Sequence, residues 1–465
     1  MKNKIALFLI IIIVFSSLAV LSSCSKKHMK QPTINGVKLA KYVIVYDEQG
    51  VDYNKRAAEY IKNTANARYG VDLKIIDDNF DKNANEIVVG ETSRAISNFL
   101  NEETKGVEFS ILANGGSIAL EGDYFVIAAA AYYFMENFAL TDAQVSTVPE
   151  KAEVHQPIVK EAKNFIMLIG DGMGLYQSKI FEYMDKKSGF SDGEDFFFGY
   201  MFPYIGESRT NSLSGVTDSA AGGTALACGI KTYNKYLGID ENKNPVKSLT
   251  ELASELGMSA GVMSTETETG ATPSSFVVHI DNRDQTADIL RAYSEASEKF
   301  GTIIDCGYDY TTPSRLPVID GHIENTLASL SANEKGFFLM YEEAYIDKKC
   351  HGKNLNDTFN MVARFNQAIG RFMEFAFYNP DTFVLITADH ETGDLRPDED
   401  GVLRFHLDNE HSDANVPIFA YGHGAELFDG VNIENIQIAH TIAALMGDEN
   451  FGDQSEFQSL TKVSE

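Results

Sequence analysis

Three largely apolar runs each lead to an ionisable residue, and nothing else in the chain constrains the fold as strongly. Asn164–Gly170 (NFIMLIG) runs into Asp171, Gly336–Tyr341 (GFFLMY) into Glu342, and Thr382–Ile386 (TFVLI) into Thr387-Ala388-Asp389-His390. A nearly continuous apolar run suits a strand buried on both faces, as in parallel sheets. In open α/β sheets, ligands gather at the carboxyl ends of the strands. Gly261–Ser264 and Val416–Tyr421 read as further strands, the first ending in a polar loop, Thr265–Pro273 (TETETGATP).

Between these runs lies Val216–Tyr233 (VTDSAAGGTALACGIKTY). Asp, Ser and Thr are N-cap residues, so Asp218 and Ser219 stand where a loop enters a helix. The small residues that follow allow tight packing. A helix N-terminus offers free N–H groups and partial positive charge, and a serine there can meet an anion held by the helix. An ordinary serine-capped helix would look the same. Thr272 can offer a hydroxyl to a hard cation such as magnesium. Arg283, in His279-Ile280-Asp281-Asn282-Arg283, can clamp a phosphate bidentately. Taken singly, both residues also suit a surface role. Asp347 and His351 are four apart, on one helical face. That pairing suits zinc or a plain ion pair. His411 follows later, and Asn354–Tyr378 reads as a long helix burying Phe359, Val362, Phe365, Ile369 and Phe372.

At 465 residues the chain has length for two domains. Its net charge of -28 argues against nucleic acid as a partner. An anionic substrate remains compatible, because bound divalent cations invert the local field. Residues 1–24 read as a signal peptide: Lys2 and Lys4, then apolar Ile5–Val20, then Leu21-Ser22-Ser23-Cys24. The last four residues resemble a bacterial lipobox. That resemblance implies cleavage before Cys24, lipidation of its sulfur, and an exported protein anchored to the bacterial membrane or cell surface. Cys228, Cys306 and Cys350 remain, and three cysteines imply no disulfide framework.

Residues 25–38 read as a tether, 39–143 as a small α/β domain, 144–161 as a linker and 162–465 as the catalytic domain. In the small domain, Tyr42–Val45, Leu73–Ile76 and Glu86–Gly90 read as strands. Phe109–Leu112 and Ser117–Leu120 read as a hairpin, and Tyr53–Tyr69 and Tyr124–Phe138 as helices. GETSRAISNF, GGSIALEGD and AAAAYYFMENF resemble the small N-terminal domain of alpha-glucuronidases.

The later motifs together resemble the alkaline phosphatase family. They are DGMG, TDSAAGGTALACG, ATP followed by Arg283, E-x4-D-x3-H, TADHETG and His411, in the family's order. The resemblance implies a three-layer α/β/α sandwich with a mostly parallel central sheet. It implies small phosphate monoesters as substrates, two zinc ions, one magnesium ion and a phosphoserine at Ser219. Asp171, Asp389 and His390 would hold one zinc, and Asp347, His351 and His411 the other. Asp171, Thr272 and Glu342 would hold magnesium, Arg283 would bind phosphate, and Lys348 would reach towards it. Cys350 would neighbour the zinc site without ligating. Gly270 departs from the family's usual Asp or His, so weak magnesium binding is expected. A homodimer is a candidate assembly. A phosphodiesterase of the same superfamily is the nearest alternative, and Thr272 and Glu342 favour the monoesterase. A catalytically inactive, lipid-anchored binding protein is the remaining reading.

Overall fold

The computed structural model describes residues 28–99, 104–139, 145–184, 196–307 and 316–461. The signal segment and Cys24 lie outside them. One unit holds Glu161–Phe372 and Asp381–Glu465; the other holds the described residues up to Lys160 together with Met373–Pro380.

The larger unit is built on one eight-stranded sheet. Its order is Ile303–Cys306, Ser259–Ser264, Phe337–Glu343, Asn164–Gly170, Thr382–Thr387, Val416–Tyr421, Tyr204–Arg209 and Asn432–Glu434. Val416–Tyr421 alone runs against the others. The three apolar runs are adjacent: Asn164 pairs with Phe337 on one side and Thr382 on the other. This register brings their carboxyl ends level, with Ile169 opposite both Glu342 and Thr387.

Strand side chains alternate between faces, and here each face meets helices. Phe165, Met167, Val262, Phe338, Met340 and Leu385 share one core with residues of helices Ser219–Cys228, Leu249–Glu255, Thr286–Phe300 and Ile436–Met446. Tyr341 points the other way, stacked on Phe365 at 6.2 Å and 5.3 Å from Phe372 of helix Leu355–Tyr378. The five apolar positions expected on that helix are all buried. The result is the α/β/α sandwich.

In the smaller unit the order is Lys74–Asp77, Val43–Tyr46, Glu86–Val89, Ser117–Glu121, Phe109–Asn114 and Glu153–His155. Val45, Ile76, Val88, Leu112 and Ala119 form a core. The segments expected as tether and linker are not plain connectors. Thr33–Ile34 pairs with Val37–Lys38 and with Val145–Ser146, and Glu153–His155 pairs with Phe109–Asn114. These strands have two or three residues, too few for a period-2 pattern to show in sequence. Among the described residues no helix is long and apolar enough to cross a membrane.

A buried ion pair braces the site end of the sheet. Arg364 is 1% exposed and donates to Glu343, with Nε at 2.7 Å from Oε2. Glu343 also accepts from Thr265 Oγ1 at 3.1 Å and Tyr345 N–H at 3.1 Å, where the strand turns into helix Tyr345–His351. Arg364→Met should lower stability by about 3–5 kcal/mol, because it leaves a buried charge unpaired. Adding Glu343→Gln should recover part of that loss, as read by urea unfolding.

Candidate functional site

Asp218 caps helix Ser219–Cys228, its Oδ1 accepting the Ala221 N–H at 3.0 Å, and Ser219 is the first helical residue. The run of small residues has a steric cause. A Cβ on Gly222 would stand 2.8 Å from the Asp389 carbonyl oxygen, and one on Gly223 2.9 Å from Ser275 Oγ. The helix therefore lies directly against the end of the Thr382–Thr387 strand and against helix Ala271–Ser275, which carries Thr272. Gly172 answers the same need on the Asp171 turn. Its φ is +73°, and a Cβ there would stand 2.7 Å from Thr392 Oγ1 and 3.0 Å from Asp347 Cα.

This packing gathers most of the residues singled out in the sequence. Ser219 Oγ lies 3.2 Å from His390 Nε2. The same nitrogen is 3.4 Å from Asp171 Oδ1 and 3.4 Å from Asp389 Oδ2. Asp347 Oδ1 is 3.2 Å from His351 Nε2 and 3.6 Å from His411 Nε2, and those two nitrogens are 3.2 Å apart. Asp171, Asp389 and His390 form one cluster with the spacing of cation ligands; Asp347, His390 and His411 form another. Arg283 Nη1 donates to Asp218 Oδ2 at 3.3 Å, beside the same helix mouth. Lys348 pairs with Glu266 at 2.5 Å.

Hydrogen bonds settle which imidazole nitrogen is free. His411 Nδ1–H donates to the Thr217 carbonyl at 2.8 Å, leaving Nε2 its lone pair. Thr392 Oγ1–H donates to Asp347 Oδ1 at 2.6 Å, so it accepts from His390 Nδ1–H at 3.3 Å. His390 therefore also presents a bare Nε2 to the carboxylates. Such outer partners fix the orientation of metal-binding histidines.

The electrostatics fit bound cations. Burial, then the neighbouring charges of Asp389, Asp347, Glu342 and Glu266, pushes the Asp171 carboxyl well above the usual range. Burial and then Asp347 push Asp389 up to about 7. Burial and then Glu266 push Glu342 up to about 8. Burial holds His390 down at about 4, as neutral imidazole. Burial would raise Asp347 too, but His351, His390 and His411 hold it well below the usual range. Asp171 Oδ1 and Asp389 Oδ2 are buried and make no hydrogen bond, while the buried Thr272 hydroxyl faces the Glu342 carboxyl and lowers its proton affinity. Buried polar atoms ordinarily find partners, and oxygens left in this way fit divalent cations.

Cys350 stands apart from these clusters, with Sγ near Gln177 and Thr358, and its thiol is pushed up by burial. Cys228, Cys306 and Cys350 are all free. The space beside Gly270 is not empty: a Cβ there would stand 2.8 Å from Glu266 Oε2.

Sequence reasoning missed Thr392 and Glu391. Glu391 is buried and accepts from Gln177 Nε2 at 2.7 Å, from Ser412, and from the backbone N–H groups of Asp394 and Leu395. Both residues lie in TADHETG, where an acid and a hydroxyl directly follow Asp389 and His390.

The family model described as "Alkaline phosphatase" matches residues 162–306 and 305–401, more than half of the chain. The chain belongs to the alkaline phosphatase family. It is 28% identical over 328 residues to alkaline phosphatase 4 of Bacillus subtilis, covering 58% of this chain and 70% of that protein. It is 25% identical over 411 residues to alkaline phosphatase of Escherichia coli, covering 62% of this chain and 87% of that one. Among solved structures, alkaline phosphatase from the Antarctic bacterium TAB5 superposes with a TM-score of 0.54. That comparison has 27% identity over 62% of this chain and 98% of the other. The protein is thus a metal-dependent phosphatase of the alkaline phosphatase superfamily.

Burial and neighbouring charge push Asp389 up to about 7 and Glu342 up to about 8, so a cation that binds at lower pH displaces protons from them. Titrating zinc into chelator-treated protein at a pH of about 6 should release protons, read as heats that differ between buffers of unlike ionisation enthalpy. Apparent affinity should rise as pH rises through the range in which Asp389 and Glu342 lose their protons. Buffer-independent heats at the lower pH would contradict this.

Proposed function

We propose that this site hydrolyses small phosphate monoesters through a phosphoserine at Ser219, with two zinc ions and one magnesium ion as cofactors. The observation that carries the reading is Ser219 Oγ at 3.2 Å from His390 Nε2, which also lies 3.4 Å from both Asp171 and Asp389. Asp171, Asp389 and His390 would hold one zinc, and Asp347, His351 and His411 the second. Asp171, Thr272 and Glu342 offer only oxygen, which suits magnesium. A TAB5 alkaline phosphatase mutant with histidine replaced by aspartate has been solved with magnesium in a site designated M3. When bound, such cations lower the proton affinity of an oxygen nucleophile and neutralise developing charge.

The chain's own residues do the rest. The free N–H groups of the Ser219 helix mouth and the Arg283 guanidinium draw the phosphoryl oxygens in. Ser219 Oγ forms the new bond to phosphorus as the bond to the leaving oxygen breaks. Water then attacks phosphorus from the vacated side, inorganic phosphate leaves, and Ser219 is restored. Asp218, hydrogen-bonded to both the helix N-terminus and Arg283, keeps nucleophile and guanidinium in register.

Ser219→Ala should abolish the acid-quenched phosphoenzyme and cut monoester turnover by roughly three or more orders of magnitude. Unchanged turnover would remove Ser219 from the reaction. Wild-type protein that cleaves a diester faster than the matching monoester would favour the phosphodiesterase reading instead.

We also propose a lipid anchor at Cys24 that holds the exported protein on the bacterial membrane or surface. Stable anchoring takes more than one acyl chain. Cys24→Ala should move the phosphatase activity from the membrane fraction to the soluble one, provided the signal is still cleaved. Membrane retention of a cleaved Cys24→Ala protein would overturn the proposal.

A further inference from the structure

Glu266 is a carboxylate beside the site to which the steps above give no role. It lies two residues past Ser264, the end of strand Ser259–Ser264. Its N–H donates to Ser264 Oγ at 2.9 Å, and Ser264 Oγ donates in turn to Glu342. Its side chain covers Gly270: a Cβ on that glycine would stand 2.8 Å from Oε2 and 2.9 Å from Cγ. Gly270 has φ −58° and ψ 146° and precedes helix Ala271–Ser275, which carries Thr272. Those angles suit any residue. The backbone does not require glycine here; the Glu266 side chain, as it stands, occupies the space a Cβ would take. The other oxygen, Oε1, pairs with Lys348 Nζ at 2.5 Å, and Lys348 is the neighbour of Asp347 in the chain.

The charges point the same way. After burial, Glu266 is the foremost influence on the Glu342 carboxyl, and its field also reaches Asp171. Asp171, Glu342 and Glu266 thus add three carboxylates to a region where Lys348 neutralises one. An all-oxygen, anionic set suits a hard divalent cation, and magnesium keeps several of its waters when bound. Glu266, 27% exposed, can accept hydrogen bonds from such waters.

We propose that Glu266 is the positioning carboxylate of the cation site formed by Asp171, Thr272 and Glu342, filling the space that Gly270 leaves and holding Lys348 at its rim. This rests on the reading of those three residues as the magnesium site. Glu266 and Gly270 then act as a unit, because a side chain at position 270 and the present Glu266 conformation exclude one another.

Magnesium titration calorimetry on the full chain saturated with zinc tests this. Glu266→Gln keeps the volume and removes the charge. It should weaken magnesium binding by about 10–100-fold and leave zinc content unchanged. Glu266→Ala combined with Gly270→Asp should bring the affinity back towards wild type, since the new carboxylate enters the vacated space. Gly270→Asp alone should give no gain. Wild-type magnesium affinity in Glu266→Gln overturns the proposal, as does failure of the double variant to improve on Glu266→Ala. Thr272→Val and Glu342→Gln test the underlying reading separately. If they bind magnesium as wild type does, the three residues are misassigned and the proposal falls with them.

Discussion

Asp171, Glu342, Asp347 and Asp389 are buried together at the carboxyl edge of one sheet, where burial works against every one of their charges. Isolated buried carboxylates are strongly unfavourable, and like charges close together compound the penalty. The surrounding structure is arranged to hold them there. Three imidazoles surround Asp347. Thr392 joins Asp347 to His390. Arg364 neutralises Glu343, the residue after Glu342, within the protein interior. What remains uncompensated is a pair of buried carboxylate oxygens on Asp171 and Asp389 that make no hydrogen bond. A phosphatase that draws its chemistry from cations needs such a surplus: attraction for the metal is strongest where the protein has not already satisfied the ligand.

Steric allowance is the complement of that electrostatic arrangement. Gly222 and Gly223 let the Ser219 helix touch the Asp389 strand end and the Thr272 helix. Gly172 lets the Asp171 turn meet Thr392 and Asp347. A Cβ on Gly174 would stand 2.2 Å from Glu391 Cγ, so that glycine admits the carboxylate that ties Gln177 to Ser412. These glycines lie within the motifs quoted from the sequence. Of the four, Gly172 also has a left-handed backbone; the others supply room. The Ser219 helix, two strand ends and a turn can thereby share a volume that a single methyl group would break.

The sequence by itself determined the α/β class and the buried strands, and it nominated the residues of the site. Continuous apolar runs can only be buried on both faces, and each named the residue at its own carboxyl end. Asp218 and Ser219 declared a helix start through capping chemistry, and Asp347 and His351 shared a face through helical periodicity. Family resemblance then grouped Asp389 and His390 with Asp171, and His411 with Asp347 and His351. Tertiary structure decided what local pattern cannot carry. The tether and linker strands became visible only through their partners, because two or three residues hold no period. Thr392 and Glu391 look like ordinary polar residues until the fold sets them against Asp347 and Gln177. Gly270 reads in the sequence as a missing side chain, yet in the fold Glu266 fills its space from four residues upstream. Spacing along a chain reports what neighbours share a face; which distant side chain enters a given space depends on packing between elements, and only the folded structure specifies that.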